Sequence, residues 1–353
     1  MKASIPRLAA LALALATSLA ASTASAVSPA GASWLAVWYQ ANPVWRGTHV
    51  MLSDDAHAEA LVTQLPRLAA AGVNAVIVEV DYNFEFQASP ELRGHNVVSR
   101  KEARRLTDTA RQNGIRLIPQ LSCLGHQSWS HNTFALLTKH PELDETPGKF
   151  PNNDGIYCRS WCPSNPKVNR VVFPLIDEMI EAFDADAFHV GMDEVFIIGS
   201  EFCPRCHGKD PAKLFAKAVN DLHKHLVGKK HVEMLMWADR LLNAKETGYG
   251  KWEAAANGTE RAIELIPQDI IMCDWHYEKR AVYPSVPLLL AKGFRVWPCG
   301  WKSAEAADAF IDFSLQSHSP RMVGYMATTW GSVALPKLAD WPPLVEGMKH
   351  ISN

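Results

Sequence analysis

Short apolar runs alternate along the chain with longer segments whose apolar residues recur at helical spacing. The apolar runs predict eight buried strands, at residues 46–52, 73–80, 115–121, 187–190, 231–237, 270–275, 294–298 and 322–328. Helices are predicted over residues 56–71, 99–113, 167–182, 260–266, 284–292 and 303–315, and another begins at Asp210-Pro211. Residues 140–165 are polar and rich in Pro, Asn and Cys, and residues 341–350 close the chain.

Local signals support several helix boundaries. Ser99 and Glu102 have the spacing of a capping box, in which each side chain hydrogen-bonds the backbone of the other residue. Pro211 follows Asp210, and proline suits a first helical turn because its missing N–H would be unpaired there. Gly72 follows the first predicted helix and is expected to act as its C-cap.

Strands and helices in this alternation predict a closed (β/α)8 barrel, the TIM-barrel fold of the α/β class. Each predicted strand is apolar on both faces, as are strands covered by helices. An open doubly wound sheet is the competing arrangement, but no Gly-x-Gly-x-x-Gly follows the first strand. Because no linker or change of composition divides residues 34–353, we predict a single barrel domain there.

The first residues have the pattern of an export signal. Lys2 and Arg7 form a positive start, residues 8–19 are apolar, and Ala24-Ser25-Ala26 fits a cleavage site. We therefore predict a signal peptide over residues 1–26 and an exported protein, periplasmic or extracellular. The apolar stretch is too short to span a bilayer stably, and no later run approaches the ~18 apolar residues required, so no membrane segment is expected in the mature protein.

The charge balance limits the choice of partner. Of 35 basic and 37 acidic residues, the signal peptide removes Lys2 and Arg7, which leaves 33 against 37, or a net charge of −4 with neutral histidines. Nucleic acid requires a basic surface and is therefore not expected as a partner. The balance suits a neutral substrate, and exposed members of the 12 tryptophans would be able to stack on sugar rings.

Seven cysteines in an exported protein favour disulfides. Cys158 and Cys162 form one closely spaced pair, and Cys203 and Cys206 form another. Three alternatives exist for these pairs: disulfides, free thiols, or a structural zinc site that includes the adjacent His207. The others lie in apolar runs and are expected to be small core residues: Cys123, Cys273 and Cys299.

The fourth predicted strand leads into His189-x-Gly191-x-Asp193-Glu194, which places two carboxylates side by side. Adjacent carboxylates repel each other, and this repulsion separates their pKa values, so one can act as an acid beside a charged partner. A solvated pair at the start of a loop is the alternative reading. The buried strand before the pair favours a functional role.

Chemically active side chains recur at the ends of the predicted strands. The carboxyl ends of the strands form the rim that carries the active site of a TIM barrel. Each of these residues also has an alternative reading without a functional role. His126 would be an ordinary loop residue, Asp81 a helix or turn cap, and the tryptophans packing residues. The residues at these ends are Asp81, His126, Asp193, Glu194, Trp237, Trp275, Trp301 and Trp330.

The stretch from His189 to Glu194 resembles the catalytic signature of glycoside hydrolase family 20, the β-N-acetylhexosaminidases, which reads His-x-Gly-x-Asp-Glu. Gly125-His126 resembles the family's Pro-Gly-His after strand three, although Leu124 replaces the proline. Arg46-Gly47 resembles the Arg-Gly pair at strand one, whose arginine binds sugar hydroxyls. Three further matches lie at strands five, six and eight, in Trp237-Ala238-Asp239, Trp275 and Trp330.

The sequence departs from the family pattern at two places. Ser332, two residues after Trp330, stands where the family usually has a Glu that binds hydroxyls of the terminal sugar. The family's tyrosine near strand seven is absent around Trp301, and Tyr277 after strand six is the expected substitute.

The resemblance implies removal of terminal β-linked N-acetylhexosamine by a retaining mechanism in which the substrate's own 2-acetamido group is the nucleophile. Glu194 would protonate the leaving oxygen and then activate water, while Asp193 would orient the acetamido N–H. His126 with Asp81 would orient Glu194. The implied partner is a carbohydrate with N-acetylhexosamine, and neither a metal nor another cofactor is implied. The residues expected to enclose the sugar are Trp237, Trp275 and Trp330.

Two other functions remain open. A metal-dependent barrel hydrolase would use His49, His126, His189 and Asp193, although strand one lacks a paired His-x-His. A barrel that binds glycans without cleaving them is the second alternative, and the serine at position 332 leaves room for it. A surface ion pair is the alternative reading of Asp239-Arg240.

Overall fold

The computed structural model describes residues 33–352, and the predicted signal peptide lies outside the described residues. Eight parallel strands form a closed barrel in which each strand pairs with its neighbours in chain order and the last pairs with the first. The predicted (β/α)8 barrel is confirmed. The barrel strands are β1 (Trp45–Met51), β2 (Ala75–Glu79), β3 (Arg116–Cys123), β4 (Ala187–Gly191), β5 (Glu233–Trp237), β6 (Ile271–Trp275), β7 (Arg295–Gly300) and β8 (Gly324–Thr328).

Helices connect the strands and cover the outside of the barrel. Within residues 33–352, none of them has both the length and the apolar character needed to cross a bilayer. The longer helices are α1 (Trp34–Ala41), α2 (Asp55–Ala70), α3 (Arg100–Gln112), α4 (Pro166–Ala182), α5 (Pro211–His225), α6 (Ser285–Ala291), α7 (Ala304–Leu315) and α8 (Pro342–Ser352). Shorter α-helical segments are Ala135–Lys139, Ala244–Thr247 and Gly250–Glu253, and a small hairpin pairs Ser128–Trp129 with Asn132–Thr133.

The predicted strands match the observed ones with bounds that differ by no more than two residues. The predicted helix over residues 260–266 is a 3-10 segment, Thr259–Glu264. Helix α1 was not predicted, because its sequence is apolar around almost its whole circumference and lacks a polar face. The two helices after β5 were also missed, since segments of four residues are too short to show a helical period.

The predicted caps are present except for one half of the capping box, because the Ser99 N–H donates to the Asp55 carboxylate at 2.6 Å and not to Glu102. The Ser99 hydroxyl accepts a hydrogen bond from the Glu102 N–H at 3.2 Å, and the Asp210 carboxylate accepts one from the Ala212 N–H at 3.0 Å. Gly72, just after α2, has φ +92°, a left-handed conformation that glycine adopts without strain. These caps fix where helices leave the barrel wall.

The amino end of the barrel is closed by side chains that pack beneath α1. Arg116 of β3 is 1 % exposed, and its guanidinium lies 5.3 Å from the ring of Trp38 and 5.4 Å from that of Trp45. Its Nε is 2.7 Å from an Asp186 carboxylate oxygen, so the buried charge is paired. Trp297 packs edge-on against Trp45 at 5.2 Å and is fully buried. The opposite end of the barrel is therefore the open one.

Candidate active site

The carboxyl ends of the strands surround one open cavity of about 610 Å³. A cavity of this size falls in the usual range for small-ligand sites. Eight of the ten predicted site residues line it, whereas Arg46 and Trp237 do not. The eight are Asp81, His126, Asp193, Glu194, Trp275, Tyr277, Trp301 and Trp330.

The turn after β4 directs two neighbouring carboxylates into this cavity. In a continuing strand, adjacent side chains would point to opposite faces, but β4 ends at Gly191 and the chain turns. Gly191 has φ +66°, and a Cβ there would lie 2.9 Å from the Cα of Ser122. Only glycine satisfies both conditions, so this position is what allows Asp193 and Glu194 to share one cavity.

Left-handed backbone is concentrated around the cavity. Five non-glycine residues here have positive φ, which residues other than glycine rarely adopt: four line the cavity, and Met192 lies in the turn between Gly191 and Asp193. Such conformations cost of order ~1–3 kcal/mol each and persist where the surroundings enforce them, often at functional sites. The residues and their φ values are Asp81 (49°), His126 (50°), Met192 (74°), Glu194 (48°) and Trp330 (44°).

His126 lies between the two carboxylates of the turn. Its Nε2 is 3.2 Å from Oδ2 of Asp193 and 3.2 Å from Oε2 of Glu194. Gly125 permits this approach, because a Cβ there would lie 2.8 Å from the Asp193 carbonyl oxygen. Burial disfavours a charged imidazole, but the attraction of Asp193 raises the pKa of His126 well above its usual value.

Asp193 is held in its charged form by the same contact. Burial alone would raise the pKa of Asp193, but the attraction of the neighbouring His126 outweighs burial and brings the pKa below its ordinary value. The pair therefore consists of a carboxylate beside an imidazolium, and both side chains are mostly buried.

Two further carboxyl groups enter the cavity from β2. Glu79 and Asp81 are two residues apart and line the same cavity. Burial raises the pKa of Asp81 to about 8, with the nearby Glu79 adding to the shift, and burial raises the pKa of Glu79 to about 7. The Asp81 Oδ1 accepts a hydrogen bond from the Ser122 N–H at 2.7 Å, and within residues 33–352 no hydrogen bond joins Asp81 to His126. The predicted Asp81–His126 contact is thus replaced by one to the backbone of β3.

Aromatic side chains form the opposite wall of the cavity. Trp275 stacks on Tyr277 with ring centroids 5.0 Å apart, and the Trp330 Nε1 donates a hydrogen bond to the Tyr277 hydroxyl at 2.6 Å. Because that hydroxyl oxygen accepts this bond, the phenolic proton is left as a donor. Trp301 lies 5.3 Å from the Tyr277 ring, and its Nε1 donates to the Ser332 hydroxyl at 3.0 Å. Ser332 therefore supports the aromatic wall.

Two of the predicted site residues lie outside the cavity. Trp237 is fully buried beneath it, with its ring centroid 5.4 Å from that of Trp330 and 4.6 Å from that of His189. Trp237 thus supports the wall from below. Arg46 is the second residue of β1, at the far end of the barrel, and its Nε donates to the Gly72 carbonyl at 2.6 Å. This placement contradicts the prediction that Arg46 binds sugar hydroxyls.

Asp239 and Arg240 form a buried ion pair, so the alternative of a surface pair is wrong. Both side chains are 1 % exposed, and Oδ2 of Asp239 is 2.6 Å from Nε of Arg240. The same oxygen accepts a hydrogen bond from the Glu194 N–H at 2.9 Å. Burial raises the pKa of Asp239 to about 6, although the Arg240 charge opposes the shift. The pair anchors the backbone of the turn that carries Glu194.

The four ligands of the metal-dependent alternative do not meet at one point. The ligand atoms of His126, Asp193 and Glu194 lie within 4.8 Å of one another, but this group includes neither His49 nor His189. The His49 Nε2 is 2.9 Å from a Glu79 carboxylate oxygen, and the His189 Nδ1 accepts a hydrogen bond from the N–H two residues later at 3.1 Å. The structure therefore contradicts this ligand set.

A family model decides the relationship of the barrel. The chain matches glycosyl hydrolase family 20, catalytic domain, over residues 47–333, which span the barrel from β1 to β8. The chain belongs to glycosyl hydrolase family 20. This match confirms the family that was predicted from the stretch between His189 and Glu194.

Several proteins that are similar to this chain are longer than it is. Beta-hexosaminidase 1 of Coccidioides posadasii is 24 % identical over 226 residues, which are 55 % of this chain and 31 % of the relative. Lacto-N-biosidase of Bifidobacterium bifidum is 25 % identical over 202 residues, or 53 % of this chain and 17 % of the relative. The structure of Flavobacterium johnsoniae chitobiase matches with a TM-score of 0.64 and 20 % identity, and covers 87 % of this chain and 48 % of that one. This chain spans less than half of each of these proteins, and the structural likeness supports the shared fold.

The family 20 cavity also contains residues that the sequence analysis missed. The sequence did contain an indication of the role of Glu79. It lies two residues before Asp81, and residues two apart in a strand point to the same face. Trp129 and Tyr157 come from the long connection after β3 and lie 5.4 Å apart at the cavity wall. Their polar surroundings in the sequence carried no sign of a role, since only the fold brings this loop over Glu194.

The cysteines of this family 20 chain are grouped differently from the pairs that their spacing suggested. All seven lie within the described residues, and none of them is in a disulfide. Cys158 stands apart, with its Sγ 3.6 Å from the Glu194 carbonyl oxygen, while Cys162 meets Cys203 and Cys206. His207 is exposed and lies outside this cluster. The core placement of the others is confirmed: Cys123, Cys273 and Cys299 are buried.

Proposed function

We propose that this protein is an exported glycoside hydrolase that removes terminal β-linked N-acetylhexosamine from glycans by substrate-assisted retaining catalysis. The proposal is carried by one observation: Asp193 and Glu194 enter a single cavity whose opposite wall is formed by Trp275, Tyr277 and Trp330. Family membership supports the reaction class, and the signal sequence supports export.

In the proposed reaction, the carbonyl oxygen of the 2-acetamido group attacks the anomeric carbon while the glycosidic bond breaks. The Glu194 carboxyl group donates its proton to the leaving oxygen, and the resulting carboxylate then removes a proton from the water that opens the oxazolinium ring. Asp193, already charged beside His126, accepts the acetamido N–H and stabilises the positive charge on the ring. The two carboxylates act on neighbouring groups of one sugar, the leaving oxygen and the 2-acetamido group, which explains why they must be neighbours in space.

The aromatic wall supplies the remaining contacts of the proposed complex. The free phenolic proton of Tyr277 donates to the acetamido oxygen and holds it in line with the anomeric carbon. Trp275 and Trp330 present apolar faces to the acetamido methyl and the sugar ring. Asp81, whose raised pKa keeps its proton at neutral pH, and Glu79, whose pKa is raised to about 7, face the sugar hydroxyls and take over the recognition that Ser332 does not provide.

Hydrolysis of an aryl β-N-acetylglucosaminide tests the proposal directly. Glu194→Gln is expected to lose at least about 10²-fold in kcat, the scale of general acid catalysis. Glu201→Gln is the matched control, because Glu201 is exposed in the same connection after β4 and should retain wild-type turnover. Asp193→Asn is expected to lose both rate and affinity for a thiazoline analogue of the oxazolinium ring.

The same assay separates the alternatives. Binding of an acetamido sugar by the wild type without turnover on any acetamido glycoside would refute hydrolysis and favour a glycan-binding barrel. Turnover that disappears with chelator and returns with added metal, while Glu194→Gln stays active, would contradict the substrate-assisted mechanism.

A further inference from the structure

Three cysteines and a glutamate converge outside the active-site cavity. Glu145 and Cys162 belong to the connection after β3, and Cys203 and Cys206 belong to the connection after β4. None of the four residues is more than 1 % exposed. One ligand atom from each lies within 4.8 Å of those of the other three. The cluster thus joins the two loops that supply Tyr157 and Glu194 to the cavity.

The sulfur positions fit ligands of one ion better than a disulfide. The Cys162 Sγ is 3.4 Å from the Sγ of Cys203 and 3.4 Å from that of Cys206. In a tetrahedral site with Zn–S bonds of about 2.3 Å, the sulfur atoms are about 3.8 Å apart, whereas a disulfide requires about 2.05 Å. A disulfide between any two of these cysteines would leave the third thiol and the carboxylate without a role.

Glu145 gives a second, independent indication of a ligand. Its Oε1 accepts a hydrogen bond from the Ser200 N–H at 3.1 Å, which fixes the orientation of the carboxylate. Its Oε2 is buried and has no hydrogen-bond partner within residues 33–352. Native proteins seldom leave a buried carboxylate oxygen unpaired, because its desolvation is costly. A cation among the three sulfur atoms would supply the partner.

We propose that Glu145, Cys162, Cys203 and Cys206 bind one zinc ion in a structural site. Three thiolates and one carboxylate complete a tetrahedral set with no open position, as structural zinc sites require. The set carries the same net charge with zinc as a four-cysteine site does. The two-residue spacing of Cys203 and Cys206 is that of a zinc-binding turn, and the His207 N–H donates to the Cys203 carbonyl at 3.0 Å to close it.

The role of the ion is to tie two loops of the barrel rim together, and it takes no part in the proposed catalysis. Binding requires the three thiols to lose their protons, so zinc uptake should release protons and weaken at low pH. Zinc content can therefore be measured whether or not the protein hydrolyses glycosides, and the two proposals can fail separately.

Metal analysis of the purified full chain tests the site, with zinc as the metal added. The wild type is expected to retain about one zinc per chain after dialysis, and Cys206→Ser to retain at least tenfold less. Cys273→Ser is the matched control, since Cys273 is buried in β6 away from the cluster and should keep its zinc. Glu145→Ala should lose zinc and Glu145→His should recover it, because histidine is a preferred zinc ligand. A packing role for Glu145 would not predict that recovery.

Thiol counting on the wild type keeps the test decisive if the variants fail to fold. Alkylation of the unfolded chain without reductant should modify all seven cysteines once zinc is chelated. Five modified cysteines, with two held in a disulfide and no zinc, would overturn the proposal, and so would seven modified cysteines from a preparation that binds no zinc. Chelation should also lower Tm by several degrees, with recovery when zinc is returned.

Discussion

Replacement of Asp239 by asparagine tests the support of the catalytic turn. The change keeps the size of the side chain and removes the charge that pairs with Arg240 at 2.6 Å. It also converts a charged acceptor of the Glu194 N–H into a neutral one. Both consequences follow from the structure alone, since nothing in the residues around Asp239 predicts that its side chain is buried.

The expected magnitude follows from the burial of the pair. Removal of one partner from a buried ion pair costs about 3–5 kcal/mol, because the other charge stays buried without compensation. Arg240 keeps three carbonyl acceptors, in Lys251, Trp252 and Ala254, which places the loss near ~3 kcal/mol. For a chain of this size, each kcal/mol lowers Tm by about 2 °C, so Tm should fall by about 6 °C.

The loss of activity should be smaller than the loss in a catalytic variant. A hydrogen bond to a charged acceptor is stronger than one to a neutral acceptor by about 1 kcal/mol, which corresponds to about fivefold in kcat if the turn loosens by that amount. Calorimetry and aryl glycoside hydrolysis measure the two effects on one preparation. Asp340→Asn is the matched control, because Asp340 pairs with Arg67 on the surface, where both side chains are about half exposed or more and an ion pair contributes less than about 1 kcal/mol. If Asp239→Asn matched Asp340→Asn in both Tm and kcat, the role assigned to the buried pair would be refuted.

Three further variants test other parts of the structure. The pKa of Asp81 is about 8 in the folded protein and about 3.8 in the unfolded chain, so the folded state holds an extra proton between these values and loses stability as the pH rises. Between pH 5 and 8 the free energy of unfolding of the wild type should therefore fall by up to about 1.4 kcal/mol per pH unit relative to that of Asp81→Asn, as measured by urea unfolding. If the free energies of unfolding of the two proteins changed equally with pH, the effect assigned to burial of Asp81 would be contradicted. Gly47→Ala would place a Cβ 2.3 Å from Trp297 and should destabilise by about 1–3 kcal/mol with KM unchanged, whereas an unaltered Tm would show that the ring moves freely. Trp129 is 52 % exposed beside the cavity, where it can bind the leaving sugar. Trp129→Ala should therefore lower kcat/KM about fivefold for chitin oligosaccharides but leave it unchanged for an aryl glycoside. An equal loss on both substrates would rule out this role.

The barrel and most of its site could be predicted because each strand is a continuous apolar run with a clear end. Once the fold is a TIM barrel, the residue after a strand is placed on the active rim without knowledge of any contact. Asp81, His126 and the carboxylate pair were found in this way. The left-handed turn at Gly191, which lets both carboxylates face one cavity, was not read from the strand pattern.

The predictions that were wrong share a physical cause. The position of a residue along its strand does not determine how deeply its side chain is buried or which distant parts of the chain it contacts. Trp237 ends its strand as predicted, but its ring packs below the cavity because other rings occupy the surface above it. Arg46 was assigned from the family pattern although it lies at the start of its strand, and its side chain turned to the far end. The burial of Asp239 depends on a loop that covers it from later in the chain, and the cluster around Cys162 depends on two loops that only the closed barrel brings together.

Within residues 33–352, the packed floor formed by Arg116, Trp45 and Trp297 closes the amino end of the barrel, so the cavity opens only at the opposite rim. In the proposed reaction, the departing sugar and the incoming water must then use one route, in that order. A second glycan would arrive at the oxazolinium ring along the same route and compete with water for it. The share of product formed by sugar-to-sugar transfer should therefore rise with glycan concentration, as a direct result of how tightly the far end of the barrel is closed.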